Sequence, residues 1–479
     1  MVTMQSNTTH TPEFVRVLAR TDVLALVFGA MIGWGWIVLT GTAILNAGSL
    51  GAIIAFLIGG TAVLLVGLTY AELAAAMPRV GGEHVYSYRA MGHFASFICT
   101  WSIVLGYMSV VAFEAVALPT VVEQLAPHYS VGYLWTIAGW DVNASWVAVG
   151  VVGSIVMMLI NFMGISTAAL LQKLVTGLIL VAGVLFVTGA LFTGEGANMT
   201  PLFHQGEGGM IGGIMAVLVM VPFLFVGFDV IPQAAEEINL PARNIGRVMV
   251  IGVLMAVAWY SLIILGTSMM LDQPTLEQSS LSVPDAMAAV FDSAWASKLM
   301  ILAGIAGIIT SWNAMYIGGS RAIYALAHAG MLPAFLGRLH PRHKTPVNAI
   351  ILIGVLSIAA PLLGRPALVW LVDAGGLGIV IAYLMVALSF VILRLRAPDM
   401  PRPFLVSAGM PVGILAAILS LAMVCLYLPG SPSALIGIEW AIFGGWMLLG
   451  LVMYVFALKR YGRAHSDRIM QEMFTPRGE

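Results

Sequence analysis

Two stretches of this 479-residue chain interrupt an apolar helix with glycine: Gly29-Ala30-Met31-Ile32-Gly33-Trp34-Gly35-Trp36 and, in the other half of the chain, Val226-Gly227-Phe228-Asp229. Glycine inside a helix gives up helix propensity. In lipid, each backbone amide or carbonyl that it frees costs several kcal/mol unless protein or a cavity supplies a partner. An unwound point exposes carbonyls at the end of the first half-helix and amides at the start of the second. The dipoles there favour an ammonium or a cation at the former and a carboxylate at the latter. One broken helix can therefore hold a zwitterion without charged side chains. On this reading Gly33, Trp34 and Gly35 take a carboxylate, and carbonyls near Ile32, Val226 and Phe228 take an amine. Gly227, between Pro222 and Pro232, permits the second break. The plain alternative is that these glycines only let helices pack closely. Two breaks in corresponding positions of two halves favour a binding site.

Ionisable residues within apolar segments are costly and point to function. Glu114 lies in Val111-Ala112-Phe113-Glu114-Ala115, on one helix face with Tyr107 and Val110. It is suited to bind an ammonium, to carry a coupling proton, or simply to accept from a hydroxyl or an indole. Asp229 stands at the second break, where an acid can cap the following half-helix. Asp373 lies further along, and Glu72, Glu236 and Glu237 sit near segment ends, where loop pairing accounts for them. Trp34, Trp36, Trp101 and Trp312 offer faces to an organic cation, although Trp101 reads as a packing anchor. Trp312 and Asn313 are expected to line the same pocket. The run Gly307-Ile308-Ile309-Thr310-Ser311 sets a carbonyl and two hydroxyls within one turn. With carbonyls of Gly29 and Ile32 it forms a candidate sodium site. The bland reading is that these hydroxyls bond back to the preceding turn.

The elements that must position these groups are membrane helices. The chain is 60% hydrophobic and 9% charged, with a net charge of -1, which excludes an ordinary soluble domain and gives no sign of nucleic-acid binding. Its two cysteines, Cys99 and Cys425, give neither a disulfide framework nor a metal spacing. No cleaved signal peptide is read in the polar first twenty residues. Twelve apolar segments are long enough to span a bilayer: 22–45, 50–77, 93–125, 146–165, 169–193, 210–237, 245–271, 298–327, 347–363, 367–393, 409–428 and 434–457. With twelve spans, every one of the 21 lysines and arginines except Lys298 and Arg365 falls on the side of the termini. The positive-inside rule then makes both termini cytoplasmic, in a multi-pass plasma-membrane protein. The expected division is a tail at 1–20, a ten-helix core at 21–400, two further helices at 401–458 and a cytoplasmic tail at 459–479. Spans 1–5 and 6–10 form the candidate repeat, each half opening with a broken helix.

Several motifs carry a resemblance. Gly29 to Gly35 looks like the first-helix signature of the amino acid–polyamine–organocation (APC) superfamily. Met77-Pro78-Arg79-Val80-Gly81-Gly82-Glu83-His84-Val85-Tyr86 resembles its loop after span 2. Val226 to Asp229, with Ala235-Glu236-Glu237-Ile238-Asn239-Leu240-Pro241-Ala242-Arg243-Asn244, is similar to span 6 of the cationic amino acid transporter branch. Ser320-Arg321 and Gly330-Met331-Leu332-Pro333 resemble the end of span 8. The resemblance implies an all-α membrane protein with the LeuT-type 5+5 inverted repeat, broken helices 1 and 6, and alternating access. It departs at Trp34 and Trp36, where small residues are common, at His84, where tyrosine is common, and at Ile179. That last position matches a lysine that some relatives use in place of a sodium ion or as a proton carrier. Lys173, at the edge of span 5, reads as a snorkelling residue. The function expected is cation-coupled secondary transport, by sodium or protons, of amino acids or small organic amines. No cofactor is expected, and partners are the substrate and the lipid bilayer. An exchanger or a non-transporting sensor on the same fold are the alternatives. The sequence sets no oligomeric state, because lipid-facing and partner-facing apolar surfaces read alike. No catalytic constellation or nucleotide loop suggests an enzyme or an ATP-driven pump.

Overall fold

A computed structural model describes residues 14–126, 128–206, 208–431 and 434–474. Of the expected tails at 1–20 and 459–479, residues 1–13 and 475–479 lie outside the described residues. The order of helices is α1 Arg20–Met31, α2 Gly35–Ala47, α3 Ser49–Ala76, α4 Glu83–Met91 and α5 His93–Leu125. A hairpin of β1 Tyr133–Ile137 and β2 Trp140–Asn143 leads to α6 Ala144–Phe162 and α7 Ile165–Thr193. Then come α8 Gly209–Leu218, α9 Val221–Phe225, α10 Val230–Gln233 and α11 Ala242–Met270. Short α12 Gln273–Gln278 and α13 Ser282–Phe291 precede α14 Ala294–His328, α15 Val347–Ala359 and α16 Ala367–Arg396. The chain ends with α17 Gly409–Leu426, α18 Gly437–Tyr461 and α19 Arg463–Phe474.

Among the described residues, nine helices are long and apolar enough to cross a membrane, and the bent pair α1 and α2 makes ten. The segment 210–237 is divided among α8, α9 and α10, and the 347–363 segment is short. The hairpin in the 126–145 loop and the terminal helix α19 were not expected from the sequence.

Burial ranks the helices. In α5 and α14 the most apolar window is 83% buried, against 22% in α17 and α18. The first pair therefore forms the centre of the bundle and the second its exposed edge. α5 packs on α14 and α16, α3 on α11, and α7 on α1 and α14. Small residues allow the closest approaches: a Cβ at Gly252 would run into Val27, and one at Gly106 into Ile379.

One end of the bundle carries most of the ion pairs. Arg321 donates through Nε and Nη2 to both Glu237 oxygens at 2.9 Å, with both side chains buried. Glu72 is buried against Arg394 and Arg402, the latter at 3.0 Å. Arg79 approaches Glu236 at 3.9 Å, so all three of these acids pair as loop and end groups. Lys173 reaches Asp22 at 2.9 Å, which gives its ammonium a partner beyond snorkelling. Residues 17–18 lie against Glu237 and Ile238 through backbone bonds of 2.9–3.0 Å. They tie the start of the chain to the end of the second broken helix.

Candidate functional site

The two breaks touch. The chain leaves α1 at Met31, passes through Ile32 with φ -107° and ψ 68°, and restarts at Gly35 after a 43° bend. In the second break Val226 is extended and Gly227 has φ +139°, a conformation that L side chains rarely adopt. A Cβ on Gly227 would stand 2.6 Å from Ala30 Cβ and 3.0 Å from the Met31 amide nitrogen. Glycine is thus required because the second break rests directly on the last two residues of α1. α14 closes the third side: a Cβ on Gly307 would be 2.7 Å from the Gly33 carbonyl oxygen and 3.0 Å from that of Ile32.

Glu114 reaches into this junction from α5. The Ser311 hydroxyl donates to its Oε1 at 2.6 Å, and the Trp34 amide donates to the same oxygen at 3.4 Å. Its Oε2 is buried with no hydrogen-bond partner among the described residues. A Cβ on Gly33 would collide with this carboxylate. A small cavity of about 20 Å³ lies here, walled by Met31, Gly33, Gly35, Glu114, Tyr260 and Ser311. That is roughly the room one water needs. Val110, Phe113, Phe223 and Leu224 give it an apolar flank. Tyr260, not singled out in the sequence, donates to the Met31 carbonyl at 2.9 Å and lies 3.3 Å from the Leu224 carbonyl.

Asp229 does not cap the following half-helix, which has no side-chain cap. Its Oδ1 accepts from the Gly227 amide at 2.7 Å, and its Oδ2 accepts from Tyr107 at 2.6 Å. It holds the break itself and ties it to α5. Phe228 turns from the cavity toward Tyr70 and Tyr383, with ring centroids 5.3 and 5.4 Å away.

Four side chains expected at the pocket face elsewhere. The Trp34 ring lies against Gly304, and Trp36 meets Trp259 edge-on at 5.3 Å. Trp34 meets the site through its backbone amide alone. Trp312 lies over Gly153 and lines an apolar groove of about 620 Å³ between α5, α6, α7 and α14. Asn313 donates to the Ala168 carbonyl at 3.1 Å and to Gln172 at 2.9 Å, and accepts from Asn161 at 3.0 Å. The reason is helical phase: successive residues turn by about 100°, so with Ser311 facing Glu114 its two followers face α6 and α7. Trp101 stacks on Trp446 at 4.5 Å, as a packing anchor does.

The five residues of the candidate sodium site do converge where α1 meets α14. Their oxygens are engaged differently, however. Thr310 donates back to the Gly307 carbonyl at 2.9 Å, and Ser311 is committed to Glu114. Gln172 Nε2 and Thr176 Oγ1 each lie 3.4 Å from the Ala25 carbonyl, and both crowd Gly29.

A bundle with two touching helix breaks and a buried acid between them is the architecture of a membrane transporter. The comparisons agree: residues 18–453 match the family model described as amino acid permease. The chain belongs to that family, and it is a multi-pass permease of the APC superfamily rather than an enzyme. It is 28% identical over 468 residues to the branched-chain amino acid permease BcaP of Bacillus subtilis, covering 94% of each chain. It is 25% identical to the methylthioribose transporter of the same organism, again over 94% of each. The aspartate-proton symporter of that organism is 25% identical, over 85% of this chain and 78% of that one.

Proposed function

We propose that this protein carries an amino acid or small organic amine across the plasma membrane by alternating access, coupled to a cation. The observation that carries the reading is the contact between the two unwound segments, with the Glu114 carboxylate set against the Gly33–Gly35 turn. The carboxylate of the substrate would meet the amides of Gly33, Trp34 and Gly35. Its amine would meet carbonyls at the ends of the two first half-helices. The apolar flank of Val110, Phe113, Phe223 and Leu224 suits an aliphatic side chain, and a full-length relative bears the name of a branched-chain amino acid permease. Of the two coupling ions, the proton is the better supported. Glu114 is a buried acid at the junction, and one of its carboxylate oxygens has no partner among the described residues. Twelve spans in a 5+5 inverted repeat, with α17 and α18 outside it and both termini cytoplasmic, complete the proposal.

Proteoliposomes test it. Uptake of leucine, arginine, aspartate and methylthioribose is followed under an inward proton gradient, an inward sodium gradient, or neither. Proton-driven accumulation of an amino acid is expected. Accumulation driven by sodium alone would overturn the choice of ion, and uptake of methylthioribose without any amino acid would overturn the substrate class.

A further inference from the structure

Tyr260 on α11 clips the two breaks together. Its hydroxyl donates to the Met31 carbonyl at 2.9 Å and lies 3.3 Å from the Leu224 carbonyl. The ring is buried, stacked on Phe56 at 5.1 Å and packed against Phe225 at 5.3 Å. Met31 is the last residue of α1, and Leu224 is the last but one of α9. Both carbonyls therefore lose their helical partners where the chain unwinds. A phenol has one proton to give, so one hydroxyl is shared between two acceptors. A third acceptor, the unpartnered Glu114 Oε2, belongs to the same cavity wall. Three acceptors around a space for one small group match a primary ammonium, which carries three N–H donors.

We propose that Tyr260 is a specificity-determining positioning residue, its hydroxyl standing in for the substrate's ammonium while the site is empty. The inference rests on the proposed transport reading of this site. Substrate N–H groups take the Met31 and Leu224 carbonyls, and the phenol gives them up. The hydroxyl thus keeps the two first half-helices in step before loading. It also sets a threshold that a ligand without N–H donors cannot pass.

The test compares the purified full-length protein with Tyr260→Phe. Binding of the twenty amino acids is measured, together with the N-trimethyl analogue of whichever binds best. Removing the hydroxyl removes a bond that the ligand must otherwise displace. The variant should bind the amino acid about three- to tenfold more tightly, the span of one ordinary hydrogen bond. The N-trimethyl analogue should show no such gain. A merely structural tyrosine would give the opposite sign: weaker binding, with maximal uptake and melting temperature falling together. Binding that is unchanged or weaker in Tyr260→Phe overturns the assignment while the transport reading stands. If neither protein binds any amino acid, the reading of this junction as an amino acid site falls and takes the assignment with it. Should the variant fail to fold, 3-fluorotyrosine introduced at position 260 of the full chain reports the same event. Its fluorine resonance should move when the amino acid is added, and an unmoved resonance overturns the proposal.

Discussion

Glutamine at position 114 separates a working acid from a structural one. Ser311 and Trp34 both donate to Oε1 of Glu114. In Glu114→Gln the amide oxygen would remain on that side and keep both bonds. The amide NH₂ would then stand at the place of Oε2, the oxygen without a partner. Charge and titratable proton are lost, and two donors face the space where an ammonium would dock. A hydrogen bond to a charged group contributes about 1.5–3 kcal/mol against about 0.5–1.5 for a neutral one. The loss in ligand affinity should be at least about 1–2 kcal/mol, roughly 5- to 30-fold. Proton-driven accumulation should disappear, while melting in detergent stays close to the parent. Glu114→Ala behaves differently, because it strands a buried hydroxyl and a backbone amide at about 1–3 kcal/mol each, and it should lower the melting temperature as well. Uptake and equilibrium binding in the same proteoliposome preparation supply the readout. A Glu114→Gln protein that accumulates substrate with the parent's pH dependence would refute the reasoning and reduce Glu114 to a bracket for Ser311 and Trp34.

Three further outcomes are expected. Gly227→Ala should cost about 2–6 kcal/mol, from overpacking against the Ala30–Met31 backbone and a φ of +139°, and a parental melting temperature in that variant would count against the touching breaks. Glu237→Ala should cost about 3–5 kcal/mol by leaving Arg321 buried and unpaired, whereas Glu237→Leu combined with Arg321→Met should cost less, as thermal unfolding of the two proteins can show. His84, on α4 outside the spanning helices, is buried with its Nδ1 at 2.8 Å from Ser96 Oγ, and burial pushes its imidazole from 6.5 down to about 3. Because the folded value lies below the unfolded one, its contribution is fully present above about pH 6.5 and is lost as pH falls toward 3. At pH 5 the loss is about 2 kcal/mol, so His84→Gln should flatten the acid limb of the melting curve, and an unchanged limb would refute it.

The parts of the site that the sequence made legible are those with a local chemical signature. Glycines in an apolar helix marked both breaks, and an acid in the middle of an apolar run marked Glu114. What the sequence left hidden is rotation about a helix axis. α14 is buried on nearly every face, so no polar stripe sets its phase, and Trp312 and Asn313 read as equal to Ser311 although they point to other helices. Tyr260 was hidden for a related reason. Its two acceptors belong to α1 and α9, far from it in the chain, and nothing near it in 245–271 hints at either. A rule of partners could still have raised it, since a buried phenol usually finds an acceptor, and the carbonyls freed at helix breaks are acceptors left over. Around Gly29, Gln172 and Thr176 approach the Ala25 carbonyl from α7, seven and three residues before Ile179. Among the described side chains at the junction, the buried oxygen without a partner is Glu114 Oε2, which is why the proton proposal turns on that residue.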